Sequence, residues 1–495
     1  MSSAVRQEVL RAFRFTLDPT PGQLADLNRH AGAARWAFNW ALDKKVAAHR
    51  EWRRQADDLV AQGMDEKTAR KAVKVRTPNA AEIKKNLNAI KGDSRKDGNL
   101  PDGFHGPFLP CPWWHEVSTY AFQSAFIDAD TAWKNWIDSL TGRRAGRAVG
   151  YPRFKRKGRA KDSFRLHHDV KKPTIRLDGY RRLLLPRLGS IRVHDSGKRL
   201  ARLIANGDAQ IQSVTVSRGG HRWYASVLVK VQQDIPDKPT RRQTERGTVG
   251  VDWGVKTLAT LSQPLDPADP TTAFVANPRH LAADARRLTK AQRALARTQR
   301  GSNRRRRAAL EVGRIQHQTA ERRATGMHQL TKRLATGFAT VAVEDLNVTG
   351  MSSSARGTAE APGRRVRQKA GLNRAVLDAA PGELRRQLSY KTSWYGSSLA
   401  VLDRWHPSSK TCSACGTVKS KLSLSEREYH CITCGLTIDR DLNAALIIAR
   451  HAVPLVEGDA KARRSPVSPA GDGRHGRAER QTREGPPPGG SPRRE

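Results

Sequence analysis

Four cysteines fall as two Cys-x-x-Cys pairs, Cys412 with Cys415 and Cys431 with Cys434, and 15 residues lie between the pairs. Each such turn can aim two thiolates at one point, and two turns at this spacing complete a tetrahedral Cys₄ shell for one Zn²⁺, as in a zinc ribbon. Gly416 and Gly435 follow the second cysteine of each pair, where a tight knuckle favours a residue without Cβ. A closed shell leaves no open coordination position, so a structural zinc is expected. Cys111 has no partner motif and reads as an ordinary packed thiol.

Carboxylates supply the second chemistry. Asp252 interrupts the apolar run Val249-Gly250-Val251, Glu344 and Asp345 end the run Val341-Ala342-Val343, and Asp439 and Asp441 open a helical pattern through Ala444, Ala445, Leu446 and Ile448. Singly, each could be an N-cap or a solvated strand end. Together they meet one need: two Mg²⁺ ions about 4 Å apart require carboxylates converging from different elements, one ion to activate water and one to steady the leaving oxygen. The order strand-Asp, strand-Glu, helix-Asp is that of an RNase H-like nuclease.

Elements must hold these groups in place. Leu10 to Leu17 alternate as a strand, and Thr20-Pro21 supplies an N-cap and first-turn proline for a helix with Leu24, Leu27, Ala31, Ala34, Phe38 and Leu42 on one face. A polar, basic stretch with helical pieces covers roughly 51–105. A second helix carries Phe122, Phe126, Ala129, Trp133, Trp136 and Leu140. Val214, Val216, a Gly219-Gly220 turn, and Val227, Val229 and Val231 predict a hairpin within a sheet or small barrel over about 165–235. Residues 235–247 read as a linker, and 249–261 as two adjoining strands. Positions 281–336 predict a helical hairpin with 15 Lys and Arg against three acids. A strand at 340–346, a polar mobile loop at 352–370, a helix at 375–394 and a strand at 399–403 follow. The last 40 or so residues are poor in apolar side chains and expected to be disordered.

Lys and Arg number 90 against 47 Asp and Glu, a formal charge of +43. Such a field needs an anionic partner, and phosphate backbones are the usual one. The basic residues are spread along the chain rather than grouped beside an apolar segment, and neither an 18-residue apolar run nor an apolar signal core is present, so a membrane partner is not expected and a cytoplasmic, nucleoid-associated protein is. The tract Tyr151-Pro152-Arg153-Phe154-Lys155 interleaves aromatics with cations, as stacking and phosphate contact require. Arg304, Arg305, Arg306 and Arg307 are too dense for a merely solvated face. Lys410 and Arg440 stand near the carboxylates in sequence, as phosphate contacts or as solvated charges.

Several stretches resemble the TnpB family of transposon-encoded, RNA-guided nucleases, relatives of compact type V CRISPR effectors. They are Gly32-Ala-Ala-Arg-Trp-Ala-Phe-Asn-Trp40, Pro152-Arg-Phe-Lys155, Gly250-Val-Asp-Trp-Gly-Val-Lys256, Ser302-Asn-Arg304, Val343-Glu-Asp-Leu-Asn347, Pro407 through Gly416, and Cys434-Gly435 with Asp439-Arg-Asp-Leu-Asn-Ala-Ala445. The resemblance runs from about residue 10 to 450, with a gap over 51–105, and Trp253 stands where an aliphatic residue is more usual. It implies that Asp252, Glu344 and Asp441 are the RuvC carboxylates, with Asp441 preferred to Asp439 by its distance from Asn443, and it adds Arg35 to the nucleic-acid contacts.

The implied architecture is a mixed α/β and β multidomain chain. A wedge β-barrel (1–18 and 149–240) carries a helical recognition insert (19–148). An RNase H-like RuvC domain (245–407, with the basic hairpin at 279–336, and a final helix at 438–452) encloses a zinc ribbon (408–437), and 453–495 is a tail. The implied activity is Mg²⁺-dependent cleavage of double-stranded DNA directed by a guide RNA after a short adjacent motif is read, by one or two copies per RNA. A compact CRISPR effector of the same chemistry, a guided binder that does not cut and a DNA-joining transposase are the other readings.

Overall fold

The computed structural model describes residues 4–90, 112–171, 173–423 and 425–452. Cys111, the 91–105 part of the insert and the 453–495 tail lie outside them.

The chain opens with strand β1 (Ala4–Asp18), longer than the alternation at Leu10–Leu17 implied, and passes into helix α1 (Pro21–Ala61). Thr20 caps α1 through a reciprocal pair with Gln23, and Pro21 occupies its first position as expected. Short helices α2 (Glu66–Ala72) and α3 (Ala80–Ile90) precede α4 (Thr119–Leu140). Phe122, Phe126, Ala129, Trp133 and Trp136 bury one face of α4 against α1, whereas Leu140 at the end of the stripe is exposed.

Strands β2 (Ser163–His167), β3 (Arg176–Asp178), β4 (Arg182–Leu185) and β5 (Gly189–Val193) lead through α5 (Lys198–Ala205) to the long hairpin β6 (Ala209–Gly219) and β7 (Arg222–Pro236). With β1 they form a seven-stranded antiparallel sheet ordered β2-β6-β7-β1-β5-β4-β3. β1 pairs with β7 from Ala4↔Pro236 to Leu17↔Trp223, so the two ends of this unit are joined by one ladder.

The expected linker at 235–247 instead finishes β7 and forms a short helix, α6 (Arg241–Arg246), capped by Thr240. Gln243 of α6 is buried, and its amide donates to the carbonyls of Ala335 and Tyr395, so the segment is a fastened joint. Beyond it come β8 (Thr248–Trp253), β9 (Thr257–Leu261) and β10 (Phe274–Ala276), then the helical hairpin α7 (His280–Ala296) and α8 (Asn303–Gly337). β11 (Thr340–Glu344), α9 (Val348–Met351), α10 (Val366–Ala379), α11 (Pro381–Trp394) and β12 (Ser398–Leu402) follow. α10 and α11 are separate because Ala380 takes a left-handed conformation before Pro381. A two-stranded ribbon, β13 (Glu428–His430) and β14 (Thr437–Asp439), then feeds α12 (Arg440–His451).

The second sheet is ordered β10-β9-β8-β11-β12, with β8, β11 and β12 parallel and the other pairs antiparallel. Side chains alternate between its faces. Val249, Val251, Val341 and Val343 point into a core with Leu330, Leu334 and Phe338 on and after α8 and Leu384 and Leu388 of α11. The opposite face carries Gly250 and Ala342 and is covered by α12, where Ala342, Ala400, Leu402 and Ile448 form a smaller core.

Candidate functional site

Period-two alternation decides where the acids go. On β8, Gly250 faces α12 and so does Asp252; on β11, Ala342 faces α12 and so does Glu344. Val251 is paired with Val343 across the parallel ladder, which brings the following residues, Asp252 and Glu344, side by side at the C-terminal ends of adjacent strands. α12 reaches them because the strand beneath it has no side chain at Gly250: a Cβ there would stand 2.0 Å from the Ala445 carbonyl oxygen. Asp441, in the first turn of α12, completes the group.

The electrostatics confirm the proximity. Burial pushes the Asp252 carboxyl up to about 8, and the charges of Glu344 and Asp441 push in the same direction, while Arg440 opposes them. Neighbouring acids are spoken for. Asp345 is held by Arg385 and Arg404, which keep its carboxyl below the usual range. Asp439 is the N-cap of α12, its Oδ1 accepting from the amides of Asp441 and Leu442. Glu344 has a different partner, the buried Ser408, whose hydroxyl donates to its Oε1.

The four cysteines meet in one cluster, with their sulfurs all within 4.8 Å of one another. The Cys412–Cys434 and Cys415–Cys431 sulfurs are 3.6 Å apart. That is far beyond a disulfide bond of about 2.05 Å and close to the roughly 3.8 Å edge of a tetrahedron with 2.3 Å metal–sulfur bonds. The knuckles close by Gly416 N to Cys412 O and Gly435 N to Cys431 O, and both glycines take positive φ, +78° and +74°. The cluster is able to bind a metal ion. Among the described residues no other such group closes to that distance, so the three carboxylates are set wider than a single-ion cage.

The expected nucleic-acid contacts are scattered. Arg35 is mostly buried and paired with Asp162 at 2.8 Å. Tyr151 lies edge-on to Trp136 at 4.7 Å and remains half-exposed, as does Phe154. Arg153 is exposed, while Lys155 is clasped by Asn39 through its backbone and sets its ammonium 3.7 Å from the Phe38 ring. Arg305 caps the end of α7 through the Leu295 and Thr298 carbonyls and Arg306 bonds Asn303, leaving Arg304 and Arg307 on the exposed side of α8. Lys410 and Arg440 donate to backbone carbonyls of the ribbon, at Ser420 and at Ser423 and Glu426. Sequence reasoning missed Ser408 as a partner of Glu344, and used Asn443 only as a landmark although it is fully buried; a polar residue inside the apolar stretch Leu442–Ile448 was the available signal.

Three family models match: "Probable transposase" over residues 226–355, "Cas12f1-like, TNB domain" over 382–448, and "Helix-turn-helix domain" over 9–54. The residues under the last form strand β1 and the first part of α1, with no helix-turn-helix. "Putative RNA-guided DNA endonuclease Rv2885c" of Mycobacterium tuberculosis is 37% identical over 450 residues, covering 90% of this chain and 87% of that one. "Putative RNA-guided DNA endonuclease InsQ" of Escherichia coli K12 is 30% identical over 447 residues, covering 90% and 93%. The complex titled "Cryo-EM structure of the Cas12f1-sgRNA-target DNA complex" aligns over 89% of this chain and 99% of that one at 12% identity and a TM-score of 0.40, too weak to fix a fold. With such identity sustained along nine-tenths of its length, the chain belongs to the TnpB/OrfB family.

Proposed function

We propose that this protein is an RNA-guided endonuclease that hydrolyses DNA phosphodiesters, with Asp252, Glu344 and Asp441 as its catalytic carboxylates. The observation that carries the reading is the convergence of three acids from two strands and a helix around Asp252, whose carboxyl is pushed up to about 8 by burial first and by the charges of Glu344 and Asp441 second. Like charges converging in a partly buried cleft are costly unless a cation relieves them. These acids would hold a pair of Mg²⁺ ions, which when bound would supply a Lewis acid on each side of the scissile phosphate. Asp252 and Glu344 would hold their positions through the strand ladder, Asp441 through the Asp439-capped turn, and Ser408 would orient one Glu344 oxygen. The products would be 5′-phosphate and 3′-hydroxyl ends.

In this reading the five-stranded sheet with α12 is an RNase H-like RuvC domain, and the Cys₄ cluster is a structural zinc ribbon inserted before its last helix. The seven-stranded sheet is the wedge barrel and α1–α4 its recognition insert, and together with Arg304 and Arg307 they would hold the guide RNA and the target duplex. Compartment follows from that partner, in the cytoplasm about the nucleoid; no described helix is long and apolar enough to cross a membrane.

The experiment is cleavage of plasmid DNA carrying a guide-matched site and randomised flanks, by the copurified protein–RNA complex in Mg²⁺, with Asp252→Ala in parallel. Cutting by the wild type and binding without cutting by the variant are expected. Matched-site binding by both with cutting by neither would leave a guided binder. Sequencing the copurified RNA separates a transposon-end guide from a CRISPR repeat.

A further inference from the structure

We propose that Asn443 and Ser408 are positioning residues that tie the Cys₄ centre to the carboxylate cluster, so that the state of the thiolate site governs divalent-cation binding by Asp252, Glu344 and Asp441. The proposal rests on the carboxylate group being the divalent-cation site.

Asn443 has no exposed surface and follows Asp441 by two residues on α12. Its Nδ2 donates to the Thr411 carbonyl at 2.7 Å, and its Oδ1 accepts from the Ser413 amide at 2.9 Å. Those two backbone groups flank Cys412, so one side-chain amide pairs with the knuckle as a neighbouring strand would. α12 needs nothing from this amide, because Asp439 already caps it. An apolar replacement would leave a buried donor and a buried acceptor without partners.

The second tie is Ser408, 3% exposed, whose hydroxyl donates to Glu344. The segment between Ser408 and Cys412 is a fixed turn: the Pro407 carbonyl accepts from the amides of Lys410 and Thr411 and from the Thr411 hydroxyl. Tyr429, packed against Cys412 and Cys431, donates its hydroxyl to the Lys410 carbonyl at 2.9 Å. Residues 408–413 are thus fastened to Glu344 at one end and to the helix of Asp441 at the other, with a metal-binding cysteine between. Asp252, on β8, has neither tie. Opening the Cys412 knuckle would release two of the three acids relative to the third. Partners in this outer layer typically alter metal affinity about 10–100-fold.

The test is Mn²⁺ binding to the full-length protein–RNA complex, read by electron paramagnetic resonance without substrate, with zinc content measured on the same samples. The difference between wild type and Asp252→Ala defines the carboxylate-site signal and removes ions held by RNA. Ser408→Ala and Asn443→Ala are expected to keep one zinc per chain and to bind Mn²⁺ about tenfold more weakly. Stripping zinc from the wild type with a mercurial is expected to cause the same loss. Zinc-replete variants with wild-type Mn²⁺ affinity would overturn the proposal, as would unchanged affinity after stripping. Should Asn443→Ala lose its zinc, Ser408→Ala decides alone, because its hydroxyl touches Glu344 and no part of the knuckle. A wild type that binds no more Mn²⁺ than Asp252→Ala would instead remove the divalent-cation site, and the proposal with it.

Discussion

At the scale of single residues, the raised carboxyl of Asp252 makes the proposed site sensitive to pH. Its carboxyl, pushed up to about 8 chiefly by burial, holds a proton at neutral pH, and in the proposed site a bound cation would have to displace it. Half-saturating Mg²⁺ for cleavage is therefore expected to fall by up to about tenfold per pH unit as pH rises toward 8, and to level off above it. Titrating Mg²⁺ at three pH values across that range checks this, and a flat dependence would be inconsistent with a protonated Asp252. The linkage to stability has the opposite sense in the metal-free chain. A carboxyl raised in the folded state favours folding below its unfolded value, and that contribution is lost as pH climbs from about 4 to about 8. Chelated protein should melt at lower temperature at pH 8 than at pH 6, by an amount that Asp252→Asn diminishes.

The decisive element is α12, seated on β8 by an absence. Gly250 lies 2.0 Å, measured to an ideal Cβ, from the Ala445 carbonyl and 2.5 Å from the Ala449 amide, both backbone atoms of the helix that carries Asp441. Gly250→Ala must lift that helix from the sheet. A loss of about 1–3 kcal/mol or more in stability is expected from overpacking, with a larger fractional loss of cleavage than of DNA binding. Denaturant unfolding together with separate binding and cleavage assays would expose the split; equal losses in both would mean global unfolding rather than displacement of Asp441. The Cys₄ ribbon is the other element with a single point of failure. Cys431→Ser is expected to abolish zinc retention, measured by elemental analysis, and to unfold the ribbon, since the hairpin β13–β14 pairs over only three residues a side.

Across the whole molecule, charge and inter-sheet contacts set the behaviour. The formal charge of +43 should make guide-RNA binding by the RNA-free protein fall at least about a hundredfold between roughly 50 and 200 mM salt. Fluorescence anisotropy across that range would show it, and a weak salt response would point to recognition by stacking instead. The two sheets are held at one contact by the β6–β7 turn, where Gly220 packs on Gly313 and Tyr224 bonds His317 of α8. At another, Arg11 of β1 stacks over Trp394 at 4.4 Å. These contacts join segments far apart in sequence.

Sequence alone determined the features written in local spacing. The Cys-x-x-Cys pairs, the Thr20-Pro21 cap, the alternation in β6 and β7 and the apolar stripe of α4 depend on periods of two to four residues, and these the structure bears out. It also singled out Asp252, Glu344 and Asp441 as candidates, though with Asp345 and Asp439 beside them. The cap that occupies Asp439 is local, made with amides two and three residues on, but only the tertiary structure gave Asp345 another duty, because the arginines that hold it come from positions 385 and 404. The same holds for Gly250, Ser408 and Asn443, whose partners lie 30 to almost 200 residues away. Local spacing carries no record of such pairings, since they arise when a late helix closes on an early strand and the small residues and buried amide between them find their counterparts.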